Sequence, residues 1–492
     1  MTSLFSALIA VILYLAVTLI IGLYSYRLDR KTPDDYFLAD RRIGPFVLFF
    51  TLIATNFSAF FFLGFAGAGY RIGYSYYGMM AMGTAFVALA FYGIGRPVWK
   101  LGKTRGYITP PEMLGDLLNS KLLRLTVLLV MVVFTVPYLA IQPIGAGILL
   151  STLTKNLIPY FPGAVLLTAI IVLYVFVGGM RSVVWTDVMQ GMVMFFLMLL
   201  AVYIITSAFG GLGHANSVVR KIEPELFSHQ GVGGFFTPQK WFSYIVLWFV
   251  CIPMFPQIFM RFFMAKKSSS LKLSAIAYPV VTAIWFICPV IIGIIGHIPF
   301  PGLEGKEADQ ILPMMLGAHA PPWLAGLIMV GAVAAFMSTM DSQLLTLSSM
   351  LTRDLYVPFF SRKASLPSQV IAGRVIVVIM AVIGLAIAWD PPASIFQIAT
   401  ATFTGLAVLF PTVVAALYWH RTSAAACIIS IICGEALLVA ILSGSIPHGW
   451  TLGFLPVVPI LLVSTAILIA GSWLASGLAA LFKKNKHSAS HR

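Results

Sequence analysis

Residues 334 to 356 read AAFMSTMDSQLLTLSSMLTRDLY and carry Ser338, Thr339, Asp341, Ser342, Gln343, Thr346, Ser348 and Ser349 within a chain that is 60% hydrophobic. On a helix Ala335, Ser338, Thr339 and Ser342 fall at i, i+3, i+4 and i+7, one stripe, with Asp341 on its flank. Hydroxyl, carboxylate and carbonyl oxygens, without thiolate or imidazole, are the ligands a small hard cation prefers. A serine-rich stripe alone would serve equally well to pack membrane helices closely. The aspartate turns the reading toward an ion or polar pathway, because an unpaired carboxylate in hydrocarbon costs several kcal/mol. Ser348 and Ser349 keep the packing role, and Arg353 with Asp354 marks a cytoplasmic end.

Other polar groups interrupt apolar runs. Asp187 lies in GGMRSVVWTDVMQGMVMFF, residues 178 to 196, where Gly178 and Gly179 end one helix and Thr186 with Asp187 open the next. There it either caps the helix or faces inward with Gln190, toward the 322 to 352 run. Asn56 and Ser58 stand in a run of Phe, Leu, Ile and Ala, and Gln142 sits beside Pro143. If the Asn56 helix unwinds near Gly64 or earlier, its main-chain carbonyls become free to meet a cation. Asn56, Ser58 and Gln142 offer hydrogen bonds to a solute, with Phe60, Phe61 and Trp248 as walls; Gln142 is equally suited to an interhelical bond. Tyr70, Tyr74, Tyr76 and Tyr77 are expected in an interfacial aromatic belt. Glu435 is expected to serve a structural or oligomer contact. Cys251, Cys288, Cys427 and Cys433 form neither a disulfide framework nor a metal pattern, and are expected as small buried residues. No GxxxxGK[ST] loop or HExxH pattern occurs, so neither ATP-driven pumping nor a metalloenzyme is indicated.

The elements that must position these residues are membrane helices. With 492 residues, 10% charged, and a mean hydropathy of +0.96, the chain cannot be a soluble globule. Apolar runs of about 20 residues recur along it and predict an all-α polytopic membrane protein with about 13 transmembrane helices. The first run has no basic residue before it and no small-residue cleavage site, so it is expected to remain a helix. The net charge of +15 is distributed unevenly. When the loops are numbered alternately, 25 of 31 basic residues, Arg261 among them, fall on one side. Basic loops stay cytoplasmic, which puts the N-terminus outside and the C-terminus inside for an odd helix count.

Gly64, Gly67 and Gly69 interrupt the second helix, and Pro253 and Pro256 the seventh. The two are five helices apart and cross in opposite directions, as an inverted five-plus-five repeat requires. The expected division is an N-terminal helix and first loop (1–42), a five-helix repeat (43–208), an extracytoplasmic loop (209–240), the inverted repeat (241–418), two peripheral helices (419–482) and a basic tail (483–492).

Four segments, GGMRSVVWTDVMQG, AAFMSTMDSQLLTLSSMLTRDLY, PMFPQIFMRFFMAKK and FPTVVAALYWHRTSAAACIISIICG, resemble the sodium/solute symporter family, which includes proline and pantothenate permeases and sodium/glucose cotransporters. The resemblance implies a LeuT-like core of helices two to eleven, with one extra N-terminal and two extra C-terminal helices. It also implies a sodium site formed by Ala54, Phe57, Ala335, Ser338 and Thr339. A further sodium site used by some members would map onto Asp187, Ser338, Asp341 and Ser342. The chain departs from its relatives in three places. Asn56 stands where proline permease has an aspartate, Pro256-Gln257 replaces a frequent Pro-His, and the fourth helix lacks an arginine of the kind sialic-acid members use for a carboxylate.

The expected function is sodium-coupled symport of a small organic solute across a cell membrane, with Na+ as coupling ion. Within that class the preference is a carboxylate, amino acid or vitamin-like acid. Proton coupling through Asp187 or Asp341, and a sensor module without net transport, are the competing readings; no nucleic acid partner is indicated.

Overall fold

The computed structural model describes residues 2–26, 32–361 and 363–489; Arg27, Arg30, Lys31, Arg362 and Arg492 of the basic set lie outside the described residues. We label thirteen helical segments. These are α1 (Thr2–Tyr26), α2 (the bent pair Pro45–Asn56 and Phe60–Ile72), α3 (Tyr74–Arg105), α4 (Lys121–Leu153), α5 (160–178), α6 (180–208), α7 (the bent pair Pro238–Met254 and Pro256–Met264), α8 (Ser268–Ile295), α9 (Pro322–Phe360), α10 (Leu366–Trp389), α11 (Ile395–Tyr418), α12 (Ala424–Leu442) and α13 (Val457–Gly477). By length and apolarity nine helices among the described residues can cross a membrane, or eleven when each bent pair is one span. Apart from an isolated bridge between Ile43 and Ala265, the described residues form no β structure.

Both breaks follow from local chemistry. In α2 the helix stops at Asn56, and Phe57 is extended (φ −90°, ψ 103°), so the two halves meet at 58°. The break falls at Phe57 and Ser58, ahead of the glycines; Gly64, Gly67 and Gly69 are helical, and at Gly69 a Cβ would lie 2.8 Å from the Val290 carbonyl oxygen of α8. A broken helix leaves main-chain groups without partners, which hydrocarbon does not forgive. Here Ser58 Oγ accepts from Phe60 N at 3.1 Å and Gln142 Oε1 accepts from Ala59 N at 3.1 Å, so the restarting half is capped by side chains. In α7 two prolines remove amide donors, and the residue before Pro256, Phe255, is pushed to ψ 123°, bending the pair by 53°.

α5 and α6 join at Gly179, whose φ of 56° and ψ of −154° suit glycine alone and whose missing Cβ leaves room for the Tyr36 ring, 2.5 Å away. Because the helix resumes directly after Gly179, Asp187 lies two turns inside α6 and is not its cap. α9 runs through the centre of the bundle with every residue from 328 to 350 buried, the signature of a helix enclosed by protein on all sides. At its far end Asp354 is likewise buried, accepting from Arg124 Nε and Thr109 Oγ1 at 2.7 Å each. Three cysteines are buried and Cys433 is half-buried; all four are free thiols.

Candidate functional site

Four carbonyls and two hydroxyls converge where the α2 break passes α9. Ser338 Oγ donates to Ala54 O at 2.8 Å and to Ala335 O at 3.1 Å, while Thr339 Oγ1 reaches Thr55 O at 3.2 Å and Phe57 O at 3.4 Å. Ala54, Phe57, Ala335, Ser338 and Thr339 are therefore brought together, all buried. The carbonyls of Ala54, Thr55 and Phe57 are at the α2 break, whereas that of Ala335 belongs to α9, which also supplies both hydroxyls among these contacts. This donor set is all oxygen, neutral and fixed by two different helices, which fits a small hard cation.

One turn further along α9 lies a charged network of which sequence reasoning misplaced one member, Arg261. Arg261, counted there with the cytoplasmic loops, is fully buried in the second half of α7. Its Nη2 bridges Asp187 Oδ2 (3.0 Å) and Ser342 Oγ (2.6 Å), its Nε donates to Thr51 Oγ1 (3.0 Å) and its Nη1 to Gln257 O (2.9 Å). Thr51 also donates to Asp187, and Thr55 Oγ1 meets Ser342 Oγ at 3.1 Å. Asp341 accepts from Tyr174 at 2.6 Å and from Ser342 at 3.1 Å. Asp187 and Ser342 thus share a guanidinium. The overlooked signal was IFMRFFM, residues 258–264, a lone cation among apolar residues where a buried carboxylate needs a counter-charge.

Asn56, Phe60, Phe61 and Trp248 line a central cavity of about 20 Å³ beside the break. The Asn56 amide donates to the Tyr278 hydroxyl. Ser58 and Gln142 hold the backbone instead: besides the capping bonds, Ser58 Oγ lies 2.9 Å from Tyr138 Oη, and Gln142 Nε2 donates to Tyr138 O at 3.2 Å. Phe60 stacks on Trp248 with ring centres 5.9 Å apart and on Phe396 of α11 at 6.3 Å. Tyr76 packs against Phe65 and Phe396, and Tyr70 donates to Phe300 O at 2.7 Å. Tyr70 and Tyr76 therefore belong to the protein interior rather than to an interfacial belt. Glu435 stands apart on α12, its carboxylate oxygens buried with no hydrogen-bond partner among the described residues.

Two bent helices that meet central polar groups in an otherwise apolar helical bundle define a secondary transporter of the LeuT-like inverted-repeat class. Solved structures of that class superpose on nine-tenths or more of the chain. A sodium-coupled sialic acid symporter, in a substrate-bound outward-open state, matches with a TM-score of 0.80 at 18% identity, covering 95% of this chain and 98% of that one. Mhp1, a nucleobase-cation-symport-1 family transporter, matches with a TM-score of 0.62 at 14% identity, covering 90% and 95%. Residues 36–434 match the sodium:solute symporter family model. The sodium/pantothenate symporter of Escherichia coli K12 is 31% identical over 93% of this chain and 94% of its own length. The high-affinity proline transporter of Bacillus subtilis 168 is 27% identical over 86% and 89%. The chain belongs to the sodium:solute symporter family. It is an integral membrane protein and a transporter, not an enzyme, coupling Na+ to the symport of a small organic solute.

Proposed function

We propose that this chain imports a small organic acid, with pantothenate the first solute to test, together with one sodium ion held by Ala54 O, Phe57 O, Ala335 O, Ser338 Oγ and Thr339 Oγ1. The observation that carries this reading is the pairing of Ser338 and Thr339 with the carbonyls released at the α2 break. The hydroxyls now donate to those carbonyls. A sodium ion would turn the hydroxyl hydrogens away and draw lone pairs from both helices, tying the break to α9 in one arrangement. The same break orients Asn56 and Phe57, so ordering it for sodium also orders the solute site, and the coupling must be reciprocal. Asn56, Phe60, Phe61 and Trp248 contact the solute, whereas Ser58 and Gln142 act through the backbone they hold. The guanidinium of Arg261 takes the place that a second sodium would need between Asp187 and Ser342. The basic face is cytoplasmic, the N-terminus outside, and the membrane is the bacterial inner membrane.

Radiolabelled pantothenate uptake into proteoliposomes, measured against sodium concentration, tests the assignment. Ser338→Ala and Thr339→Ala are expected to raise the half-saturating sodium at least tenfold while leaving the amount of inserted protein unchanged. Unaltered sodium dependence in both variants would refute the ion site.

A further inference from the structure

The starts of α2 and α6 border a cavity of about 240 Å³ on the face that carries most of the basic loop residues. Both helices enter the membrane from this face, and the cavity wall changes character along them. Asp40 and Arg42 precede α2 and Arg181 stands in the first turn of α6, whereas Val47, Val184 and Trp185 lie about one turn further in. Arg181 and Trp185, at i and i+4, share one face of α6 and are about 6 Å apart along its axis. Trp185 is 56% exposed, which sets an indole at the hydrocarbon boundary, where tryptophan concentrates.

The two arginines differ in what they already hold. Arg181 is committed to the protein: it pairs with Asp35 and lies 3.6 Å from Asp40 Oδ2. Arg42 is exposed, and no carboxylate among the described residues pairs with it. Two main-chain bonds fix the segment that carries it, Ile43 N donating to Met264 O at 3.1 Å and Lys266 N to Ile43 O at 2.9 Å. The second bond sets Lys266, also exposed and without a carboxylate partner among the described residues, beside Ile43 of the cavity wall. Surplus positive charge over an apolar wall at the membrane boundary suits a molecule with an anionic head whose body lies in the bilayer. The volume is below the roughly 300–1,000 Å³ of drug-sized solute sites, in keeping with a head group that enters while its chains stay outside.

We propose that this cavity binds one anionic phospholipid, its phosphodiester held by Arg42 and its glycerol and upper chains packed on Val47, Val184 and Trp185. Lys266 adds attraction at the rim. The lipid seats against the start of the α2 half whose other end carries Ala54 and the break. It therefore borders the element that forms the cradle. The inference is independent of which solute the chain carries.

The test reconstitutes the full chain in phosphatidylcholine vesicles containing a rising fraction of phosphatidylglycerol brominated in the upper acyl chain, which quenches tryptophan at contact. The Trp185 signal is the difference between the parent and Trp185→Phe, and brominated phosphatidylcholine is the reference lipid. Half-quenching of Trp185 is expected at about fivefold lower mole fraction of the brominated phosphatidylglycerol, the contribution of one arginine beside an anionic head. Arg42→Gln is expected to abolish that preference. Lys267→Gln, exposed on the same face but outside the cavity wall, is expected to leave it unchanged. Equal quenching by the two lipids in the parent, or a preference indifferent to Arg42→Gln, overturns the site. A loss as large in Lys267→Gln also overturns it, because the preference would then belong to diffuse surface charge. Inorganic phosphate added at constant ionic strength is expected to leave the preference intact; its loss would make free phosphate the occupant and overturn the lipid.

Discussion

Arg261→Met is the most informative perturbation of the fold. The ion pair to Asp187 has both side chains fully buried and a separation of 3.0 Å. At an effective dielectric near 20 that separation corresponds to an attraction of about 5 kcal/mol, and breaking a buried pair by removing one partner costs about 3–5 kcal/mol. Methionine fills much of the space but leaves Asp187 as an uncompensated charge, still touched by Thr51. Against a total stability of about 5–15 kcal/mol, the single variant should be severely destabilised, and Asp187→Asn should be comparably so because it strands the guanidinium. The double variant Arg261→Met/Asp187→Asn removes both charges and should recover to within about 2 kcal/mol of the parent. The assay is equilibrium unfolding of the purified protein in detergent as a double-mutant cycle. Two single losses of about 3–5 kcal/mol each against about 2 kcal/mol in the double variant correspond to a coupling energy of at least about 4 kcal/mol. Single-variant losses that simply add in the double variant would refute the pairing.

Further outcomes follow from the same geometry. Since the guanidinium bridges Asp187 and Ser342, sodium activation of uptake should show a Hill coefficient near one; a value near two would mean that a second ion binds with Arg261 present. Asp309, in the loop before α9, is buried, which pushes its carboxyl up to about 6 from an ordinary value near 4 despite the opposing pull of Arg71. Its ionised form is then disfavoured in the folded protein, so stability falls as pH rises from about 4 to 6, by an amount on the order of 3 kcal/mol. Thermal unfolding across that window should lose this component in Asp309→Asn. Gly179→Ala places a Cβ within 2.5 Å of the Tyr36 ring at a backbone conformation costing about 1–3 kcal/mol for any other residue. A lower melting temperature is expected, and an unchanged one would show that the α5–α6 joint adapts.

The membrane class, the helical segmentation and the stripe on α9 were legible in the residues. Apolar runs long enough to cross a bilayer and helical spacing are properties of neighbouring residues, so Ser338 and Thr339 could be put on one face without knowing what they faced. The run expected at 322–352 contains the buried part of α9. The Pro253 and Pro256 break was equally local, because proline removes a donor wherever it stands.

What the sequence left undecided were partnerships between distant residues. A break could be anticipated in α2, but its position at Phe57 and Ser58, rather than at the glycines, depends on Gln142 reaching across from α4 and Ser338 from α9. Asp187 was compatible with a helix cap or with an inward-facing ligand, and only the packing of α6 against α2, α7 and α9 gave it a guanidinium. Arg261 was assigned to a loop because charge in a sequence is counted as solvated by default. Burying it requires a carboxylate that lies 74 residues away along the chain and 3.0 Å away in the fold. Chain-local physics determined which segments enter the membrane and which stripes are polar; only the tertiary structure decided which charges neutralise one another, because in a low dielectric that depends on distance in space.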